Sequence, residues 1–156
     1  MTELCDLPAI QLAESIRQGT TSAVAAVQST LERIQTVDGR PGSLDYTGLT
    51  PEDERTLHAY ITISAEQALE RAAEIDRQVR AGQDPGPLAG VPISVKDLFC
   101  VRGMRTTAAS RMLGNFTAPY TATPVKRMQE AGGIILGKVN LDEFAYGSSS
   151  ESTAFK

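Results

Sequence analysis

The chain has 156 residues, of which 41% are hydrophobic and 22% charged. That length supports one domain with a real core, and the balance excludes a disordered chain. Fifteen basic against nineteen acidic side chains leave a net charge of −4, which argues against a surface built to bind DNA or another phosphate backbone.

Cys5 and Cys100 are the only cysteines and form no C-x-x-C pattern. A disulfide framework is not expected, and a reducing cytosol fits. His58 is the only histidine. So few soft ligands give no basis for a zinc or iron site, and they exclude a Ser-His-Asp triad unless His58 is its base. The first residues show no basic segment followed by an apolar one, so no secretory signal is expected. No apolar run approaches the length of a membrane span.

Leu7 to Gln18 reads as a short helix with Asp6 as a candidate N-cap and Gly19 as its stop. Ser22 caps a second helix, with Val24, Val27, Leu31 and Ile34 on one face and Gly39 at its end. The two are expected to form an antiparallel pair over 1–39. Asp38 to Leu49 reads as a loop. Thr50-Pro51-Glu52-Asp53 has the form of a helix start. Ala59 to Ile63 alternates as a short strand. Ser64-Ala65-Glu66-Gln67 is a capping box opening a long helix with Ala68, Ala72, Ile75 and Val79 as its apolar stripe. Glu66, Glu70, Arg71, Glu74 and Arg77 give it a solvated face.

Next comes Pro87-Leu88-Ala89-Gly90-Val91-Pro92-Ile93-Ser94-Val95-Lys96-Asp97-Leu98-Phe99. Val91, Ile93, Val95, Leu98 and Phe99 read as a buried strand. Lys96 then has two readings. It reaches water at the strand end, snorkelling or pairing with Asp97, or it is held inside, where desolvation favours the neutral amine and makes it a base. Gly103 and Thr106-Thr107-Ala108-Ala109-Ser110 suit a tight loop at the C-terminal end of that strand, where open α/β sheets build their sites. Thr123-Pro124 starts another helix, with Val125, Met128 and Ala131 facing in and Gly132-Gly133 closing it. Ile134-Ile135-Leu136 is a second buried strand. The segment between the strands is long enough for a right-handed crossover joining parallel strands.

Gly132 to Lys138 matches GxxxxGK, but Val139 stands where a phosphate loop needs Ser or Thr, and the apolar residues lie inside the supposed loop. Lys138 reads as a strand-end charge. Asn140-Leu141-Asp142-Glu143 reads as a capping box before a short helical turn. Asp142 and Glu143 point about 100° apart on a helix, which assigns both to the helix start rather than to paired acid and base work. Gly147-Ser148-Ser149-Ser150-Glu151-Ser152 has two readings, a polar loop or a segment whose small residues let backbone amides approach a ligand. It is not a G-x-S-x-G elbow, so none of its serines is assigned as a nucleophile.

Together these segments resemble the amidase signature family, and within it the A subunits of the glutamyl-tRNA(Gln)/aspartyl-tRNA(Asn) amidotransferases. The resemblance is strongest from Gly86 to Phe155. It is carried by the Pro87 to Asp97 stretch, by Gly103 to Ser110, by Ala131 to Lys138 and by Leu141 to Ser149. It implies an α/β fold, a mixed sheet flanked by helices, incomplete in this chain. Residues 1–156 would be the N-terminal part of one amidase domain, with 57–156 starting its α/β core. It implies a Ser–cis-Ser–Lys mechanism in which Lys96 is the base, with Gly147, Ser148 and Ser149 beside the substrate and no metal. The substrate would be glutamine, hydrolysed to supply ammonia for amidating a misacylated tRNA. Companion amidotransferase subunits would use ATP and magnesium, with no cofactor in this chain, and the setting would be cytoplasmic. Thr121, Ser152-Thr153 and the length of Asp38 to Thr56 depart from the family pattern. The glycine- and serine-rich signature with the two catalytic serines would lie beyond Lys156, so the chain alone is expected to be inactive. Two rival readings are part of a general amide hydrolase and a truncated or split binding piece without catalysis.

Overall fold

The computed structural model describes residues 3–45, 50–51 and 53–155. The end of the loop expected up to Leu49, and Glu52 of the Thr50 helix start, lie outside them. Helix α1 is Ala9–Arg17 and α2 is Ala23–Val37; strand β1 is Tyr60–Ile63 and α3 is Ala65–Arg80; β2 is Pro92–Lys96, α4 is Thr123–Glu130 and β3 is Ile134–Val139. The three strands form one sheet in the order β1-β3-β2. Strand β1 runs antiparallel to β3, with Thr62 opposite Lys138 and Ile63 opposite Gly137. Strands β2 and β3 run parallel. Ile134 N donates to Val91 O, and further along both strands Asp97 N donates to Val139 O. The sheet is therefore mixed, as expected.

The chain divides into two compact units, and β2 and β3 each run from one into the other. The first comprises Met1–Ile34, Ser64–Ile93 and Lys126–Leu136. In it α1 makes its helix contact with α3. Leu12, Ala13 and Ile16 of α1, Ala26 and Val27 of α2, and Ala68, Ala72 and Ile75 of α3 are buried. These are the positions that a 3.6-residue period places on one face. Ser22 caps α2 as expected, its Oγ accepting Ala25 N at 3.0 Å. A second cap comes from far along the chain. The buried Asp76 of α3 accepts Ala23 N at 2.7 Å and Val24 N at 3.2 Å. A carboxylate there satisfies two orphan amides and complements the positive end of the helix dipole.

The second unit comprises Gln35–Ile63, Ser94–Val125 and Gly137–Lys156. Its apolar cluster joins Ile61, Ala109, Leu141 and Phe155, with Leu44, Ala145 and Ala154 against it. Asp38 is buried and accepts the amides of Ala59 and Tyr60, fixing the entry into β1. Gly137 lets β1 and β3 approach, since a Cβ there would lie 2.1 Å from Thr62 O.

Several expected details differ. The expected Asp6 cap is not formed; Pro8 occupies the N-cap position of α1, and Asp6 pairs instead with Arg33. Ser64 holds the N-cap position of α3 without a side-chain cap bond. Thr50 and Asp53 do exchange capping bonds, but over a 3-10 turn, Asp53–Arg55. The lysine strand ends at Lys96, and Leu98 and Phe99 lie exposed in the turn beyond it. Met128 of α4 is exposed rather than inward-facing.

Replacing Asp76 by alanine removes the distant cap of α2. The expected loss is about 1–2 kcal/mol of unfolding free energy, read from denaturant midpoints at unchanged m-value.

Candidate active site

The residues singled out at Lys96 and at Gly147 to Ser149 all fall in the second unit. Lys96 ends β2 and its side chain is exposed. Its ammonium forms no hydrogen bond or ion pair with another described residue, while its carbonyl accepts Phe99 N at 2.9 Å. Of the two readings of Lys96, the one that takes it to water at the strand end holds, and the enclosed lysine of the sheet is Lys138. Alternation along the strand sends Lys96 outward and Asp97 inward. The expected pairing of Lys96 with Asp97 is therefore not formed.

Lys138, read from the sequence as a strand-end charge, is fully buried in β3, the middle strand. Its Nζ lies 2.8 Å from Asp97 Oδ1 and 3.0 Å from Thr106 Oγ1. Both charged side chains are 0% exposed. The second Asp97 oxygen accepts the amide and the hydroxyl of Thr107. A buried pair of this kind persists only when its remaining lone pairs and protons find partners, and here they are supplied by two threonines. The GxxxxGK resemblance dissolves accordingly. Ile134 to Val139 is strand, and Lys138 is spent on Asp97, so no phosphate cradle exists there.

The loop after β2 is buried from Thr106 through Ser110. Ala108 and Ala109 both have positive φ, 50° and 56°, a region that a Cβ disfavours. The loop is held by Ala108 N on Asp97 O and Ala109 N on Thr107 Oγ1. Its carbonyls in turn receive Phe144 N at Ala108 and Ala154 N at Ala109.

Asp142 does not cap a helix by its side chain. Its carboxylate accepts Ser152 N at 2.8 Å, Ser150 N at 2.9 Å and Ser149 N at 3.1 Å. It thus fills a nest of amides in the Gly147 to Ser152 loop. The Ser152 amide, then those of Ser150 and Ser149 and the charge of Lys96, hold its carboxyl below the usual aspartate value against the opposing effect of burial. Lys96 and the serine loop thus share Asp142 as a neighbour. Gly147 leaves room for this carboxylate, since a Cβ there would lie 2.4 Å from it. Gly147, Ser148 and Ser149 are all exposed, and Ser149 Oγ donates to Glu151. Asn140, expected to cap a helix, instead ties distant carbonyls together, with Nδ2 on Phe155 O and His58 O. The 3-10 turn that follows, Glu143–Ala145, is irregular at Phe144.

His58 is not placed as a triad base. Its ring nitrogens face Arg40 O at 3.0 Å and Asp53 O at 2.8 Å, and its hydroxyl neighbour is Thr56 rather than a serine. Tyr60 Oη and Ser94 Oγ form a hydroxyl pair on the face of β2 that Lys96 shares. Burial pushes the Tyr60 phenol up. Sequence reasoning missed the inward roles of Asp97, Lys138 and Asp142. The signal for Lys138 was present, because it too is an ionisable residue enclosed by an apolar run.

A carboxyl lowered on folding adds stability that is complete above its unfolded value, about 3.9 for Asp, and is lost as pH falls through the folded value. Protection of the Ser149, Ser150 and Ser152 amides is therefore expected to hold at about pH 5 and to fall away below about pH 4. Amide-exchange NMR checks this. Asp142→Ala is expected to remove that protection at both pH values, and Gly147→Ala to weaken it.

The sequence profile of the Amidase family matches residues 52–156. The A subunit of glutamyl-tRNA(Gln) amidotransferase from Thermobifida fusca is 45% identical over 99% of this chain, and that from Cutibacterium acnes is 43% identical over 99%. The chain spans 28% of the length of these relatives. Among solved structures, an inhibitor-bound vestigial complex bearing on the origins of an s-triazine catabolic enzyme aligns with TM-score 0.81 at 31% identity, covering 96% of this chain and 29% of that one. Peptide amidase from Stenotrophomonas maltophilia aligns with TM-score 0.72 at 33% identity, covering 90% of this chain and 26% of that one. A strand-end lysine beside a nest of serine amides, on a mixed sheet shared with these structures, thus accompanies a profile match over most of the chain: the protein belongs to the Amidase family.

Proposed function

We propose that this chain is the N-terminal part of the A subunit of a glutamine-hydrolysing amidotransferase and that Lys96 is its catalytic base. The observation that supports this best is the state of Lys96. It is the exposed end of a strand whose next residue is locked into the interior, and among the described residues its ammonium is left unpaired while Asp97 and Lys138 neutralise one another. In this reading the rest of the domain packs over this open side chain, and that enclosure favours the neutral amine a proton acceptor requires. In this reading the neutral Lys96 amine takes a proton, through a bridging serine, from a serine nucleophile supplied by the rest of the domain. That serine attacks the glutamine side-chain carbonyl, the C–N bond breaks, and the nitrogen leaves as ammonia after receiving a proton. Water then releases glutamate from the acyl-enzyme. Gly147, Ser148 and Ser149 line the substrate side, in a loop whose Ser149, Ser150 and Ser152 amides are held by Asp142.

The ammonia serves amidation of a misacylated tRNA on companion subunits that use ATP and magnesium in the cytoplasm. The one phosphate-loop resemblance in the chain, Gly132 to Lys138, falls on strand β3 from Ile134 onward. The described helices include none long and apolar enough to cross a membrane. Identity of 40–45% to amidotransferase A subunits, against 33% to the peptide amidase, favours the tRNA-dependent reading over a general amide hydrolase.

The test is a chimera in which this chain replaces the matching N-terminal segment of the Thermobifida fusca protein, measured with its companion subunits for ammonia release from glutamine. Activity is expected, and Lys96→Met is expected to lower it about a hundredfold or more at unchanged melting temperature. An active chimera indifferent to Lys96→Met would sink the assignment. The 156-residue chain by itself is expected to release no ammonia, since a base without a nucleophile forms no acyl-enzyme.

A further inference from the structure

The most deeply buried charges of the second unit take no part in the chemistry proposed above. Asp97 and Lys138 are both without solvent exposure and meet at 2.8 Å. Removing two charges from water is costly, and well-packed apolar residues often stabilise a core as well or better. A pair kept in such a place calls for a use beyond stability.

We propose that the Asp97–Lys138 pair is a positioning device that sets Lys96 and the Gly147 to Ser152 loop in register with one another; this rests on the reading of Lys96 as the base. Asp97 directly follows Lys96, so fixing one side chain inward fixes the other outward. Asp97 is held at every polar atom. Its amide donates to Val139 O at 2.9 Å, its carbonyl accepts Ala108 N at 3.1 Å, and its carboxylate takes Lys138 and Thr107. Lys138 also holds Thr106, the residue before.

From Thr107 the linkage continues without a gap. Thr107 Oγ1 gives its proton to Asp97 and accepts Ala109 N at 3.1 Å. This keeps Ala108 and Ala109 in the left-handed region that alanine otherwise avoids. Their carbonyls then hold Phe144 N at 2.9 Å and Ala154 N at 3.0 Å. Phe144 and Ala145, also left-handed at 53° and 63°, follow Asp142, which gathers the amides of Ser149, Ser150 and Ser152. The ion pair thus sits at the root of a bonded path with Lys96 at one end and the serine loop at the other. Asp97, Lys138 and Thr107 are positioning residues, and none of them meets substrate.

The test uses the 156-residue chain. The double variant Asp97→Asn with Lys138→Met removes both charges and leaves neither unpaired. Amide exchange is followed at Phe144, Ala154, Ser149, Ser150 and Ser152. The controls are Ser64 and Ile134, whose amides bond to Leu136 O and Val91 O. The expected result is exchange about tenfold faster or more at the first set than at the controls, with a displaced Lys96 ε-methylene resonance. If the double variant does not fold, Thr107→Val, which keeps the ion pair, is expected to show the same selectivity to a smaller degree, and Thr107→Ser to restore protection. Uniform acceleration, which a purely structural pair would give, overturns the proposal. So does unchanged exchange or an unmoved Lys96 resonance. None of these readouts involves turnover, so a negative result removes the positioning role and leaves the assignment of Lys96 to the chimera experiment.

Discussion

Lys138, in β3, and Asp97, just past the end of the parallel β2, place opposite charges where water does not reach, and the geometry of the second unit follows from how that cost is met. An ammonium in the middle strand of a sheet needs a counter-charge and further oxygen partners. Asp97 supplies the first and Thr106 the second. Because Asp97 must face inward, the residue before it must face outward, and the strand ends with Lys96 in solvent. Because Thr106 and Thr107 must reach the pair, the loop after β2 is buried, and its backbone bends through two left-handed alanines. The exposed lysine and the buried loop are two consequences of one neutralisation.

The same device recurs in milder form. Asp38, Asp76, Asp97 and Asp142 are the buried acids of the described structure. Each carboxylate accepts at least one backbone amide, Asp97 besides its ion pair with Lys138. Asp38 starts β1, Asp76 caps α2 from 53 residues away, Asp97 shapes the loop after β2, and Asp142 gathers the serine loop. Backbone amides on a buried carboxylate replace hydrogen bonds to the water it has lost. Irregular backbone is held in place here by acids rather than by long secondary structure. That suits a site assembled from loops at the ends of strands.

Among the described residues the Lys96 ammonium is exposed and without a bonded partner, that of Lys138 buried and paired, although both are single lysines near the end of an apolar run. Their difference separates a side chain open to solvent from one committed to structure. Strand parity and the position of Asp97 decide it. An apolar run beside the lysine does not distinguish them.

Sequence alone determined the elements that depend on local chemistry. Apolar spacing placed α2, α3 and α4, glycines marked helix ends, and the runs at Val91 and Ile134 gave two parallel strands joined by a crossover. The motif wording from Pro87 to Asp97 and from Leu141 to Ser149 was enough for the family. Tertiary structure decided the contacts between residues distant in sequence. The Asp97–Lys138 pair spans 41 residues and the Asp76 cap 53. Capping boxes written at Ser64 and Asn140 were overridden because Ser64 makes no cap bond and Asn140 is spent on His58 and Phe155. A side chain's hydrogen bonds go to whichever groups the fold brings within about 3 Å. Periodicity reports only which face of its own element a residue occupies, so the facing partner, and with it the roles of Asp97, Lys138 and Asp142, appears only when the strands are laid side by side.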